Sequence, residues 1–252
     1  MNQLLRLYAL NRASAARQFE VRALDSDNAE ILLYDVIVSD AFEAEYYGGV
    51  APEPFVQAVR AITAKTIHLH INSPGGSVFA ARAMEQALRD HPANLVVHID
   101  GVAASAASVI AMAGDEIIMG SGAMMLFHNG WSVAVGNAAH MRNTADLLDK
   151  VDGTLVATYA RRTGKDASQV AEWMAAETWF TAEEAVVNGF ADRVADDAPQ
   201  AAAAAWNLSA FERAPVIAVP ASAVPAAPLA PASKRVDKDQ LLRLLEASAL
   251  TA

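Results

Sequence analysis

A serine hydroxyl becomes a nucleophile only when a base removes its proton, and histidine is the side chain best matched to that task near neutral pH. Two positions fit such a pair. Ser105 sits in Asp100-Gly-Val-Ala-Ala-Ser-Ala-Ala-Ser108, which reads as a strand, a glycine turn and a helix carrying the serine in its first turn. There the hydroxyl gains from the positive end of the helix dipole, and the Ala106 amide is placed to donate to an oxyanion. An ordinary N-cap serine would occupy the same place. His128 ends the apolar segment Met124-Met-Leu-Phe-His128, where a lone histidine can equally be a satisfied polar group. A third segment, Asn72-Ser-Pro-Gly-Gly-Ser77, falls between a strand and a helix. Its paired glycines permit positive φ and close approach of backbone amides to a ligand, although any tight turn uses the same residues.

The elements that must hold these residues follow from periodicity. Strands are expected within Glu20 to Val38, then a helix from Pro52 to Ile62 with Phe55, Val59 and Ile62 at helical spacing. Thr66–Ile71 reads as a strand, Val78–Arg89 as a helix, Leu95–Ile99 as a strand, and about Ala104 to Ala113 as a small-residue helix. Two short strands, Glu116–Met119 and Ala123–Phe127, precede a long helix from about Ala138 to Arg162 with Leu147, Val151, Leu155 and Tyr159 on one face. A helix opens at Asp166-Ala-Ser-Gln169, and Thr181-Ala-Glu-Glu184 is a capping box whose helix closes at Gly189. Strand, glycine turn, helix, strand is the rhythm of an α/β fold.

In this order, Asn-Ser-Pro-Gly-Gly, Gly-Val-Ala-Ala-Ser, an apolar strand ending in His, and Phe180-Thr-Ala-Glu-Glu-Ala-Val-Val-Asn-Gly-Phe-Ala-Asp192 resemble the Clp protease proteolytic subunit, ClpP, over roughly residues 28 to 195. The resemblance implies a ClpP/crotonase-type spiral of repeated ββα units. It also implies Ser105 as nucleophile, His128 as general base and the amides of Gly76 and Ala106 as the oxyanion hole. The family carries an aspartate two residues before the phenylalanine of the last motif, where this chain has Thr178. Thr178 can accept a hydrogen bond from the imidazole and fix its tautomer, without stabilising the imidazolium by charge, so slower turnover is expected. Glu177 is adjacent, but on an extended segment it would point the opposite way. The Thr-Trp-Phe variant, Tyr46-Tyr-Gly-Gly-Val50 and a Pro/Ala-rich tail resemble the phage and prophage head maturation branch. That branch implies processing of capsid and scaffold precursors. The alternatives are a housekeeping subunit working with an ATP-dependent unfoldase, a crotonase-like acyl-CoA enzyme, and a non-catalytic assembly protein. The resemblance further implies a homo-oligomeric ring, heptameric or double.

Composition narrows the field from the other side. With 19 basic and 29 acidic residues the net charge is −10, the wrong sign for a partner recognised through its phosphates. The chain has no cysteine, hence no disulfide, thiolate metal site or cysteine nucleophile. No apolar run reaches 18 residues, and the first 17 lack a signal h-region, so a cytoplasmic protein, in the host or in a phage prohead, is expected. His68 and His70 have metal-ligand spacing without a third ligand nearby, so no metal or cofactor is expected. His91 reads as a surface turn residue, His98 and His140 have no legible partner, and Trp131, Trp173 and Trp179 read as core or subunit-interface residues. Residues 1–19 form an N-terminal segment, 20–195 the protease domain, 196–235 an extended Pro/Ala-rich linker, and 236–252 an amphipathic helix or tail.

Overall fold

The computed structural model of the chain describes residues 3–12, 14, 17–195 and 206–215. Its centre is a sheet of mostly parallel strands. β1 (Gln18–Ala23) and β2 (Asn28–Tyr34) form an antiparallel hairpin, and β2 then begins a parallel series with β3 (Thr66–Ser73), β4 (Asn94–Ala104), β5 (Glu116–Met119) and β8 (Arg193–Val194). Alternation decides the faces. Ile67, Leu69, Ile71, Val97 and Ile99 point to one side and are buried against Phe55 and Val59 of α3 (Pro52–Ala61) and Met84 and Leu88 of α4 (Val78–Arg89). Glu30, Tyr34, His68, His70, His98 and Asp100 point to the other side and stay half-buried. There His68 Nδ1 is 3.1 Å from His98 Nε2, and His70 Nδ1 is 2.8 Å from Asp100 Oδ2.

β4 is longer than its apolar core predicts. The expected glycine turn at Gly101 is absent; the strand continues through Ala104 because Val102–Ala104 pairs in parallel with β6 (Met124–Phe127). Gly101 serves close packing instead, since a Cβ there would stand 2.8 Å from Asn72 Oδ1. The helix that follows, α5 (Ala106–Ala111), is correspondingly shorter than expected. β6 also pairs antiparallel with β7 (Thr178–Thr181), so one short strand joins the serine-bearing and threonine-bearing segments.

α6 (Ala138–Thr163) carries Val151, Leu155 and Tyr159 into the core, whereas Leu147 is 51% exposed because the buried residues of the helix all lie in its second half. Phe127, Tyr159, Trp173, Phe180 and Phe190 make a cluster of ring contacts between α6, α7 (Ala167–Ala175) and β7. α8 (Ala182–Val187) starts with the expected capping box of Thr181 and Glu184.

Two segments depart from the sequence reading. Residues Gln3–Asn11 form a helix, α1, with Leu7 and Tyr8 buried and the Tyr8 hydroxyl donating to Ile37 O at 2.8 Å. An extended linker does not describe residues 206–215: Trp206, Leu208, Ala210 and Phe211 are buried with Leu7, Val102, Ala104 and Leu126. The Trp206 indole donates to Asn72 O and Oδ1, both at 3.1 Å, and the Asn207 amide to Asn11 Oδ1 at 2.7 Å. Trp206 and Phe211 are the aromatic residues of the 196–235 tract, and burying two large rings outweighs the disorder that its composition favours. The amphipathic stretch expected at 236–252 lies outside the described residues.

Candidate active site

The parallel pairing of β4 with β6 creates the site. Ala104 is opposite Leu126, and the Ser105 amide donates to Leu126 O at 3.0 Å, so Ser105 and His128 leave adjacent strands at the same end. Carboxyl ends of parallel strands are where α/β folds gather ligands. The chain turns sharply at Ser105, with φ 53° and ψ −123°, before entering α5. That conformation is costly for a residue with a Cβ, and it excludes an ordinary cap: the Ser105 side chain makes no capping bond. The hydroxyl is directed instead at His128 Nε2, at 2.7 Å.

The glycine turn packs against this elbow. A Cβ on Gly75 would stand 3.0 Å from both the Ser105 Cβ and the Ala106 N, and closer still to Ala104 O. Gly76 has φ 145° and forms a parallel bridge with Ile37 whose bonds are Ile37 N–H to Gly75 O and Ser77 N–H to Ile37 O, each 2.8 Å. Neither bond uses the Gly76 N–H. Ala106 is the first residue of α5, so its N–H has no carbonyl within the helix to meet. The turn is anchored from below: the Ser73 hydroxyl donates to Asp35 O at 2.5 Å and accepts the Gly75 N–H at 3.1 Å.

A cleft of about 280 Å³ opens over Ser105 and His128, walled by Gly76, Phe79, Trp131, Leu147 and Phe211 among others. Its walls are largely apolar, with Ser105 and His128 as convergent polar groups. Residues 55–198 match the Clp protease family. The chain belongs to the Clp protease family.

It is 32% identical over 136 residues to ATP-dependent Clp protease proteolytic subunit 1 of Leifsonia xyli subsp. xyli, covering 53% of this chain and 69% of that one. It is 34% identical over 131 residues to proteolytic subunit 2 of Tropheryma whipplei, covering 51% and 72%, and 33% identical over 132 residues to proteolytic subunit 3 of Rhodococcus jostii, covering 52% and 65%. The protein is a serine-type peptidase of the ClpP type, with the mixed α/β fold of that family. Among the described residues no helix is long and apolar enough to cross a membrane.

In this Clp protease the imidazole is held below the ordinary histidine range, first by burial; an interaction with the Asn129 backbone and the charge of Glu177 oppose that shift. A neutral imidazole at pH 7 is the form able to accept a proton. The ring lies 5.5 Å from the Phe211 ring, edge to face, and 6.3 Å from Trp131. The loop after it is tied to α6 by the Gly130 amide, which donates to Asp152 Oδ1 at 2.6 Å.

Thr178 is one step from the imidazole, paired with Phe127 in the β6–β7 register. Its hydroxyl donates to Trp173 O at 2.7 Å, and among the described residues no hydrogen bond joins it to His128. Glu177 is not on an extended segment: its φ is 49°, and its Oε1 accepts the Arg213 amide at 2.6 Å. Sequence reading missed Phe211 and gave Glu177 an extended backbone that it does not have. The aromatic anchors of the tail were the available signal for the first; the second depends on a left-handed residue that no local motif announces.

Proposed function

We propose that Ser105, His128 and the amides of Gly76 and Ala106 perform acyl transfer on a polypeptide. The observation that carries this is the 2.7 Å contact between Ser105 Oγ and His128 Nε2. His128 takes the hydroxyl proton on Nε2 while Oγ bonds to the scissile carbonyl carbon. The oxygen of that carbonyl becomes an oxyanion facing the two amides, which act most strongly on charge that develops in the transition state. His128 then gives the proton to the leaving amine as the C–N bond breaks, leaving an acyl-Ser105. Water, deprotonated by the same imidazole, releases the acid and restores the hydroxyl.

The substrates we propose are capsid and scaffold precursors of a phage or prophage, cut in the host cytoplasm or inside a prohead. Support comes from the Thr178-Trp-Phe variant, Tyr46-Tyr-Gly-Gly-Val50 and the Pro/Ala-rich tail. A homo-oligomeric ring, heptameric or double, belongs to the same proposal. Val133, Val135, Met141 and Leu147, exposed on and before the first half of α6, support it as apolar surface suited to a neighbouring subunit. The relatives' names, ATP-dependent Clp protease proteolytic subunit, favour a second reading, a subunit working with an ATP-driven unfoldase.

Fluorophosphonate labelling of the full chain, read by intact mass, tests the chemistry: one adduct on Ser105 in the wild type and none in Ser105→Ala. Co-expression with a capsid precursor from the same genome tests the substrate. Trimming by the wild type alone supports it, and a precursor left intact by both proteins overturns it.

A further inference from the structure

Residues 206–213 lie beyond the 55–198 stretch that matches the family, yet they touch both the glycine turn and His128. Two aromatic side chains make those contacts. The Trp206 indole donates to Asn72 O and Oδ1, where the Asn72-Ser-Pro-Gly-Gly76 turn begins. Phe211 sets its ring edge to face on the His128 imidazole, with centroids 5.5 Å apart, and on Trp179 of β7 at 5.8 Å.

The segment that carries Phe211 is fastened on both sides of it. Gln3 Nε2 of α1 donates to Ala210 O at 2.6 Å, and the Arg213 amide donates to Glu177 Oε1 at 2.6 Å. The Phe211 N–H itself closes a turn onto Leu208 O at 2.9 Å. Its ring is 4% exposed and clusters with Leu7, Leu126 and Trp179, a close packing that leaves it little room to retreat. Phe211 is therefore a fixed wall of the cleft.

A fixed wall sets a size limit. The cleft over Ser105 and His128 has a volume of about 280 Å³, and Phe211 lines it together with Phe79, Trp131 and Leu147. The substrate residue whose carbonyl carbon bonds to Ser105 Oγ carries its side chain on the very next atom, so that side chain must fit the same cleft. Forcing an oversized group against packed rings is costly, and an apolar pocket discriminates by the volume it admits.

We infer that Phe211 is a specificity-determining residue: held at the cleft by segment 206–213, it limits the size of the apolar side chain accepted on the acyl side of the scissile bond. The inference rests on Ser105 and His128 acting as nucleophile and base.

The test uses the full chain, as wild type and as Phe211→Ala, Phe211→Leu and Phe211→Trp, with two kinds of probe that bond to an active serine. One is a small alkyl fluorophosphonate, which has no side chain to fit. The other is a set of peptidyl phosphonate diphenyl esters whose side chain next to phosphorus is that of Ala, Leu, Phe or Trp. Labelling rates at Ser105 are read by intact mass, and the rate with the Trp phosphonate is divided by the rate with the Ala phosphonate for each protein. That ratio should rise about tenfold or more in Phe211→Leu and Phe211→Ala and fall in Phe211→Trp. Phe211→Leu and Phe211→Trp keep a large apolar side chain, so variants on both sides of the wild-type volume remain even where Phe211→Ala does not fold. A ring that only packs the core would slow or spare all phosphonates alike; an unchanged ratio, or one not ordered by the volume at position 211, overturns the assignment. Phosphonates that label none of the proteins while the fluorophosphonate labels Ser105 overturn it as well, and leave the nucleophile reading standing. Wild-type protein that takes neither label at Ser105 overturns the nucleophile reading itself and this inference with it.

Discussion

The Ser105 amide donates to the Leu126 carbonyl at 3.0 Å, so the sharp turn carrying the proposed nucleophile is pinned to the strand that delivers the proposed base. Position 105 is thus held in a conformation that suits glycine and not serine. The strain, on the order of 1–3 kcal/mol for such outliers, is tolerated because the hydroxyl must stand clear of both strand and helix.

Replacement of Ser105 separates strain from chemistry. Ser105→Ala and Ser105→Gly should both lose peptidase activity by at least about a thousandfold. Ser105→Gly should nonetheless be the more stable of the two by about 1 kcal/mol, because alanine retains the Cβ at φ 53° and glycine does not. Thermal melts of the two inactive proteins check this; equal melting temperatures would mean that the turn is unstrained.

Gly76 is the second place where a single Cβ decides the outcome. With φ 145° and the Ile37 carbonyl directly in the path of a side chain, Gly76→Ala must break the bridge that fixes the turn. Activity should fall by about 10²–10³-fold, the usual loss for a displaced oxyanion donor. The α6 residue Gly153 is the control: a Cβ there meets nothing within 4 Å, so Gly153→Ala should keep full activity and gain up to about 1 kcal/mol. Parallel assays and denaturation curves of the two variants distinguish site damage from general destabilisation.

The acid limb of activity follows from the surroundings of His128. Burial pushes the imidazole below the ordinary 6.5 more than Glu177 and the Asn129 backbone raise it. The base is active when neutral, so kcat/KM should hold its plateau below pH 6.5 and fall as pH drops through the lowered value. A pH–rate profile on a fluorogenic peptide checks it; a midpoint at or above 6.5 would contradict the environment described.

Sequence patterning captured what is local. The bounds of α4 and β5, the Thr181–Glu184 box and the strand end bearing His128 all follow from period, caps and turns read over a few residues. What escaped depends on partners far along the chain. β4 runs past Gly101 because β6 pairs with it, and residues 206–215 are ordered because two rings find Leu7, Val102 and Leu126. Glu177 turns left-handed where the Arg213 amide meets it, 36 residues away. The assumption of an extended backbone at that residue therefore failed.

The histidines on the open face of the sheet make stability depend on pH separately from catalysis. Burial, then the charges of His70 and His68, push His98 down to about 4, against an ordinary value of 6.5. Asp100 and Glu116 face it too and pull the other way. Between those two pH values the unfolded chain binds a proton at this position and the folded chain does not. Stability is therefore fully present above about pH 6.5 and is lost as pH falls toward about 4. With one unit worth about 1.4 kcal/mol and partial exposure screening the group, the loss should be on the order of 1–2 kcal/mol. Urea unfolding at pH 7 and pH 5 should give a smaller difference in His98→Gln than in wild type. Equal differences would move the effect to another group, since a glutamine at 98 cannot take up the proton.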